Sequence, residues 1–359
     1  MQLNLRKMVK TLPSLIRLGA SITWSKLARK RTPIIVSLHV TNRCNMRCKY
    51  CYSNPNNRFD TPSRDFSTRE LFNLVNNLHD MGTRWIVLLG GEPLLRDDIG
   101  ALIQHIKKKN MLCELVTNGT LLAQRLDDVK NVDLTCVSLD GPKAVNDLMR
   151  GKGTYQKTIQ GLNAVTRAGI PTRVHAVVTK QSANIDTINH LAAIARRHGT
   201  TFGFSSPIPS GMPGESSFLL DMDGMKSFWK MVLDCKRRGY PVYNTVSAME
   251  YIIQWPSQQH VMPKKEILES QGAGWQVKAC HAGDRAMYID SEGIVYPCIC
   301  KGIHNGLNYK NVGLQAAWEH LASTQCGSCA YIQYVEFNDI VNIRTNSILL
   351  GLQTFFGRR

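Results

Sequence analysis

The sequence predicts an α/β protein built on a parallel sheet. From residue 33 onward, strand-like stretches alternate with helix-like stretches six times, and the strands are apolar enough to be buried on both faces. Both features are typical of a parallel sheet covered by helices. The predicted strands are Ile34–Val40, Trp85–Gly90, Leu112–Thr117, Val132–Leu139, Thr172–Thr179 and Thr201–Ser206. The predicted helices are 67–81, 97–109, 121–129, 154–168, 184–197 and 222–238.

Length and composition favour a large intracellular domain joined to a smaller one. The 359 residues contain 43% hydrophobic side chains, which is ordinary for a chain with a buried core. Eleven cysteines occur without a convincing export signal, so a disulfide-rich secreted scaffold is not expected. We therefore expect a cytoplasmic protein whose thiols stay reduced.

Residues 1–31 form a basic segment. The net charge is +17, and no acidic residue precedes Asp60, so an anionic partner is expected. Apolar residues at three- and four-residue steps predict one or two amphipathic helices with a break or bend near Pro13. Polar residues interrupt the apolar run too often for a transmembrane span. The segment either lies peripherally on the inner face of a membrane or packs on the following sheet.

Three thiols follow the first predicted strand within eight residues: Cys44, Cys48 and Cys51. Thiolates are the usual ligands of iron–sulfur clusters, and a four-iron cluster normally takes four of them. Three ligands would leave one iron open, which is the mark of a reactive metal site. A zinc knuckle or a pair of redox thiols is the alternative interpretation of so short a cysteine cluster.

The spacing Cys-x3-Cys-x2-Cys, with Tyr50 directly before the last cysteine, resembles the signature of the radical S-adenosylmethionine (radical SAM) enzymes. The resemblance implies that S-adenosylmethionine binds the open iron of a 4Fe-4S cluster. One electron then splits it into methionine and a 5′-deoxyadenosyl radical. It also implies a curved six-strand partial (β/α)6 barrel and an electron donor such as flavodoxin or ferredoxin.

Further motifs stand at the ends of the predicted strands, where sites in parallel sheets form. The second strand ends in a stretch that resembles the family's GGEP element, whose glycines would let the backbone approach the ligand and whose acid would face the methionine ammonium. The resemblance implies a polar pair for the cofactor after the fourth strand and an arginine for its carboxylate. The implied cofactor-binding residues are Tyr50, Gly90, Gly91, Glu92, Pro93, Asn118, Ser138, Asp140 and Arg150.

A second set of thiols lies near the C-terminus. Strand-like runs at Ala286–Asp290 and Ile294–Pro297 predict a hairpin that brings the flanking cysteines together, and a short helix, Leu314–Leu321, precedes the last pair. The arrangement resembles the twitch form of auxiliary-cluster domains rather than the longer SPASM form, which implies a second 4Fe-4S cluster. Structural zinc is the alternative. The expected ligands are Cys280, Cys298, Cys326 and Cys329, and Cys300 is either a substitute ligand or a bystander.

These features divide the chain into five parts. They are a basic N-terminal segment, a radical SAM core, a helical linker, a twitch-like domain and an amphipathic tail: 1–31, 32–215, 216–270, 271–332 and 333–359.

The leading hypothesis is an enzyme that abstracts a hydrogen atom for oxidation, epimerisation or carbon-bond formation. The basic ends favour an anionic small molecule, or a membrane-derived lipid or sugar, as substrate. Peptide maturation or modification of a haem precursor is the alternative; a peptide ranks lower because no leader-binding domain precedes residue 32. A nucleic-acid-binding protein with structural clusters is disfavoured, because the basic residues are concentrated at the N-terminus rather than interleaved with aromatic ones.

Overall fold

The computed structural model describes residues 5–53, 65–209, 214–262, 277–300, 306–324 and 326–342. Six parallel strands, each paired with the next, form a partial barrel. They are β1 (Ile35–His39), β2 (Trp85–Leu89), β3 (Leu112–Thr117), β4 (Leu134–Ser138), β5 (Thr172–Val177) and β6 (Thr201–Ser205).

Helices cover the outside of the barrel and bury the apolar outer faces of its strands. Those between the strands are α2 (Thr68–Asp80), α3 (Ile99–Lys108), α4 (Leu126–Val129), α5 (Lys143–Arg150), α6 (Thr154–Arg167) and α7 (Ile185–Arg197). Those after the strands are α8 (Met222–Arg237), α9 (Val246–Ile253), α10 (Tyr309–Val312), α11 (Leu314–His320) and α12 (Ile332–Val341).

The predicted barrel elements are confirmed closely. Each of the six strands begins within two residues of its predicted start, as do five of the six helices. The helix predicted at 121–129 is wrong in length, since only α4 is helical there and turns precede it. Helix α5, whose final residue is Arg150, was not predicted.

The C-terminal hairpin extends the barrel sheet. Its strands β8 (Ala286–Ile289) and β9 (Ile294–Tyr296) are followed by β10 (Leu307–Asn308). Strand β8 runs parallel to β1, with Ala286 opposite Ile35, so the order in the nine-stranded sheet is β10-β9-β8-β1-β2-β3-β4-β5-β6. The hairpin was predicted, but its place beside β1 was not. A two-stranded sheet pairs β7 (Val261–Met262) with β11 (Ser328–Cys329).

A 23-residue helix, α1 (Leu5–Leu27), closes the lower end of the barrel. Its Leu18 and Ile22 are buried against the first residues of several strands, among them Ile35 and Leu112. The helix continues through Pro13, so the segment is one of the one or two predicted helices and has no break at this proline. A proline in a helix removes one backbone hydrogen bond, and packing of the inner face against the barrel offsets that loss. No helix in the described part of the chain is long and apolar enough to cross a membrane.

The edge of the barrel at β6 is closed by residues 242–245 and α12. Val242 bridges to Phe202 of β6, and the Asn244 side-chain amide hydrogen-bonds both the N–H and the carbonyl of Phe204. The carboxylate of Glu336, on α12, accepts hydrogen bonds from the Thr245 N–H at 2.8 Å and from the Asn244 side chain at 3.3 Å. Burial raises the pKa of Glu336 from 4.5 to about 7.

This raised pKa predicts a pH-dependent stability. A folded state that holds the Glu336 proton more tightly than the unfolded state is favoured at low pH. That stabilisation is complete below about pH 4.5 and is lost as the pH rises through 7. As the pH rises, the wild-type unfolding free energy should fall by on the order of 3 kcal/mol because of Glu336. We expect this fall to be absent in Glu336→Gln. Urea unfolding at pH 5 and pH 7.5 measures the change in unfolding free energy between the two pH values, with Glu250→Gln as the control. An equal change in wild type and Glu336→Gln would contradict the prediction.

Candidate functional site

The cysteine loop, residues 44–51, begins beyond the carboxyl end of β1. Cys44, Cys48 and Cys51 are each half-buried, and their thiols are close enough to interact electrostatically. Burial raises the pKa of Cys44 to about 11 and that of Cys48 to about 12. These two thiols are therefore protonated at neutral pH, so a bound metal would have to displace their protons.

Gly90 and Gly91 allow the end of β2 to pack directly on the backbone that leads into the cysteine loop. A Cβ atom at Gly91 would lie 2.2 Å from the carbonyl oxygen of Arg43, and one at Gly90 would lie 2.6 Å from that of Thr41. The Gly91 N–H donates to the Thr41 carbonyl at 2.7 Å. From the sequence, these glycines are expected to let the backbone approach a ligand, and that contact stays a prediction. In the structure they approach the protein's own backbone and so position the cysteines.

Glu92 joins the ends of β2 and β3. It is fully buried, and its carboxylate accepts hydrogen bonds from the Thr117 hydroxyl at 2.7 Å, the Asn118 N–H at 2.8 Å and the Leu94 N–H at 3.1 Å. Burial raises its pKa. Pro93 follows as the first residue of a single 3-10 turn. Glu92 therefore has a structural role, and its contact with a cofactor stays a prediction.

Asn118 holds the cysteine loop from the side of β3. Its side-chain amide donates to the side-chain oxygen of Asn45 at 2.8 Å, and the side-chain nitrogen of Asn45 donates to the Thr120 hydroxyl at 3.0 Å. Asn118 also accepts a hydrogen bond from the backbone N–H of Thr120 at 2.9 Å. A residue that alone would indicate only a turn therefore fixes the position next to Cys44.

Asp140 is the centre of a buried ion-pair network beneath the cysteine loop. Its carboxylate accepts two hydrogen bonds from Arg150 at 2.8 Å, one from the Val177 N–H at 3.0 Å and one from the Tyr50 hydroxyl. The Arg150 guanidinium also lies 5.5 Å from the centre of the Tyr50 ring. Burial raises the pKa of Tyr50. Arg150, expected to pair with a cofactor carboxylate, thus has a bidentate partner within the chain.

Ser138, at the end of β4, lies beside a group of polar side chains, of which His175 and Ser205 were not predicted from the sequence. Its neighbour in register is His175 of β5. The Nε2 atom of His175 hydrogen-bonds the Ser205 hydroxyl at 2.8 Å, and its Nδ1 atom hydrogen-bonds the Tyr243 hydroxyl. Burial, aided by nearby Arg173, lowers the pKa of His175 to about 3, so the imidazole is neutral. Because successive side chains of a strand point to opposite faces, the sequence of β5 could have indicated that His175 points into the barrel.

A second missed group links the two sets of cysteines. The Tyr288 hydroxyl, on β8, hydrogen-bonds Nδ1 of His39 at 2.6 Å and also the hydroxyl of Tyr52. Tyr52 directly follows the cysteine loop and interacts electrostatically with both Cys51 and Cys300. These contacts depend on the pairing of β8 with β1, which no local pattern indicates.

The structure gathers five C-terminal thiols, which we call the second thiol cluster: Cys280, Cys298, Cys300, Cys326 and Cys329. Cys280 hydrogen-bonds Cys326, and Cys300 hydrogen-bonds Cys298. Burial raises the pKa of Cys329, and the hydrogen bond with Cys326 together with burial raises the pKa of Cys280. Cys280 precedes the hairpin β8–β9 and Cys298 follows it, and Cys300 joins them as a fifth thiol; their role as cluster ligands stays a prediction.

Both groups of thiols fit iron–sulfur clusters by their chemistry. Each consists of several half-buried or buried cysteines, the donors that such clusters use. Among the residues for which the structure gives positions, no three Cys, His, Asp or Glu side chains are arranged around one metal ion. A four-iron cluster binds one thiolate at each iron, so its ligands surround a larger object than a single ion.

Comparison with known proteins supports the same chemistry. The sequence profile of the Radical SAM superfamily matches residues 38–192, which include the cysteine loop and the Asp140 network. The mycofactocin maturase MftC of Mycolicibacterium smegmatis is 27% identical over 299 residues, or 80% of this chain and 70% of the maturase. The AdoMet-dependent heme synthase of Nitratidesulfovibrio vulgaris is 24% identical over 316 residues, or 83% of this chain and 84% of the synthase.

A solved structure has the same fold. Streptococcus suis SuiB bound to precursor peptide SuiA superposes with a TM-score of 0.62 at 18% identity, over 84% of this chain and 68% of SuiB. The matched sequence profile, the relatives and the partial barrel all agree with the motifs in the cysteine loop. Residues 38–192 therefore form a radical SAM domain, and the protein is an enzyme with the chemistry of that domain, which uses S-adenosylmethionine and a 4Fe-4S cluster.

Proposed function

We propose that this enzyme modifies a peptide by radical chemistry with two 4Fe-4S clusters. Cys44, Cys48 and Cys51 would hold the cluster that binds S-adenosylmethionine. Cys280, Cys298, Cys326 and Cys329 would hold an auxiliary cluster, with Cys300 as a neighbouring thiol. When bound, the first cluster and S-adenosylmethionine supply the 5′-deoxyadenosyl radical that abstracts hydrogen. The main support for the proposal is the pairing of β8 with β1. The cysteine loop follows β1, and the second thiol cluster flanks the β8–β9 hairpin of the same sheet.

The cofactor-binding residues have positioning roles in this proposal. Asp140 and Arg150 hold Tyr50, and Asn118 holds Asn45, so the cysteine loop is fixed from two sides. Such fixed ligands need little rearrangement when a cofactor binds. Backbone and side-chain groups at the strand ends would contact S-adenosylmethionine: Gly90, Gly91, Glu92, Pro93, Ser138 and Asp140.

Relatives favour a peptide over the anionic small molecule or lipid expected from charge. MftC is named as a maturase, and the SuiB structure contains a precursor peptide. Neither supports the predicted small-molecule or lipid substrate. Haem-precursor modification is the second candidate, because the heme synthase of Nitratidesulfovibrio vulgaris matches 83% of this chain. The domain boundaries predicted from the sequence remain part of the proposal.

A two-stage experiment tests the function. Anaerobic reconstitution should give roughly eight irons per chain, and dithionite should then yield 5′-deoxyadenosine from S-adenosylmethionine. Mass spectrometry would next compare short peptides encoded beside the gene with a haem precursor as substrates. A mass change in a peptide supports the proposal. Conversion of the haem precursor alone would overturn the peptide assignment, and absence of S-adenosylmethionine cleavage would overturn the radical assignment.

We further propose reduced flavodoxin or ferredoxin as the electron donor and a peripheral location on an anionic membrane surface. Replacing dithionite by each reduced protein tests the donor. The location is supported by the segment 1–31, which contains several basic residues and no acidic residue.

A further inference from the structure

We infer that the outer face of α1 is a docking surface for an anionic lipid bilayer and that it orients the barrel with its mouth away from the membrane. We define the outer face as Leu12, Ile16, Trp24 and Leu27. The inference rests on the proposed peripheral location and is independent of the substrate.

The outer face is an exposed apolar stripe. Leu12, Ile16 and Trp24 recur at multiples of four residues, and Leu27 lies beside them on the helix surface. Their exposed fractions are 43%, 63%, 69% and 75%, which makes them four of the seven large exposed hydrophobic residues in the described part of the chain. Single exposed apolar residues are ordinary, but a contiguous stripe indicates an interaction surface.

The opposite face of α1 is already occupied by the barrel. Leu18, Ile22 and Ser25 are buried there, and the Thr11 hydroxyl hydrogen-bonds Asp133 at 3.1 Å. The helix is thus apolar on two sides, and only one of these sides faces the barrel. Ordinary core packing accounts for the inner face and leaves the outer face without a role.

The end of α1 is anchored, so the outer face is a preformed platform. Arg285 donates to the carbonyls of Ser25 at 3.3 Å and Lys30 at 2.9 Å. Arg31 donates to the Gly283 carbonyl at 2.5 Å, and its guanidinium lies 4.8 Å from the Trp318 ring centre. A rigid surface loses little conformational freedom on binding.

Charge identifies a bilayer as the partner. Arg17, Arg29 and Lys30 are exposed beside the outer face, and no acidic residue occurs in the segment. Basic side chains around an apolar stripe with a tryptophan match the headgroup region of an anionic membrane, where each basic residue contributes about 1 kcal/mol. A nucleic acid would bind through the basic residues alone, and its binding would not account for the apolar stripe.

The docked orientation follows from the barrel. Helix α1 packs against Ile35, Leu112 and Leu134, which are the first residues of their strands, whereas the cysteine loop follows the carboxyl end of β1. A five-residue strand, about 16 Å long, separates these ends. The mouth therefore opens to the aqueous side, and a substrate reaches it from water rather than from the bilayer.

Vesicle flotation of the full chain tests the surface. We expect flotation with phosphatidylglycerol-containing vesicles at low salt, and none with pure phosphatidylcholine. Ile16→Ser combined with Trp24→Ser should lower the bound fraction roughly tenfold, because two apolar side chains no longer enter the interface. Arg17→Gln combined with Arg29→Gln should weaken binding, and the remaining binding should depend less on the salt concentration. Val312→Ser, at 45% exposure, is the matched control and should bind as wild type does.

The results separate the alternatives. Failure of the wild-type chain to float would overturn both the location and the surface, whereas equal flotation of the Ile16/Trp24 variant would overturn the surface alone. Sedimentation without vesicles is measured in parallel. A dimer that the Ile16/Trp24 variant converts to monomers would identify a second copy as the occupant and overturn the bilayer. Thermal melting confirms that each variant is folded, and cleavage of S-adenosylmethionine is expected to be unchanged.

Discussion

A Cys48→Ala variant is expected to lose about half of the iron of the reconstituted enzyme and all cleavage of S-adenosylmethionine above background. Cys48 lies in the middle of the cysteine loop, and its thiol is near both Cys44 and Cys51. Two remaining thiols leave the first cluster with too few ligands. Iron content, visible absorption and 5′-deoxyadenosine are the measurements.

Cys235→Ala is the matched control, because Cys235 is a fully buried thiol of α8 outside both groups of cysteines. It removes the same atoms and should keep both clusters. A Cys48→Ala variant that still cleaves S-adenosylmethionine would contradict the assignment of the cysteine loop. Loss of iron in the Cys235 variant would show that the measurement reports folding instead.

An Asp140→Ala variant is expected to lose roughly 3–5 kcal/mol of unfolding free energy. The side chains of Asp140 and Arg150 are 1% and 6% exposed, so the substitution leaves a guanidinium buried without its carboxylate. Tyr50 also loses the acceptor of its hydroxyl. Urea unfolding followed by circular dichroism measures the loss.

Two further variants make this result specific. Glu250→Ala breaks an ion pair with Arg237 that is largely solvent-exposed, and such pairs contribute at most about 1 kcal/mol. Asp140→Leu combined with Arg150→Met removes both charges and should recover much of the lost stability. If Asp140→Ala cost no more than Glu250→Ala, the network would not be a stabilising centre. The double variant is still expected to bind the cofactor poorly, since Tyr50 remains without its partner.

Local patterns were sufficient for much of this molecule. Apolar strands and amphipathic helices predicted the barrel, and the spacing of Cys44, Cys48 and Cys51 predicted the chemistry of its mouth. The hairpin at Gly293 was also found, because a tight turn between two short apolar runs is a local signal. Positions within each motif were therefore predictable, although the partners of their side chains were not.

The partners depend on contacts between distant segments. Arg150 was expected to bind a cofactor carboxylate, and only the fold shows that Asp140 accepts both of its hydrogen bonds. The place of Tyr288 beside His39 depends on a strand pairing that spans most of the chain. Pro13 shows the same limit in reverse, since tertiary packing overrides its local tendency to end a helix.

The pairing of β8 with β1 also constrains when this protein is able to fold. Strand β1 is synthesised early, but Ala286, the partner of Ile35, follows seven strands and nine helices of the described part of the chain. Until then one edge of β1 is unpaired and available for wrong association, and contacts so distant in sequence form slowly. The cysteine loop therefore reaches its final surroundings only after the β8–β9 hairpin has been synthesised. If the first cluster assembles on the completed barrel, it therefore assembles after β8 has paired with β1.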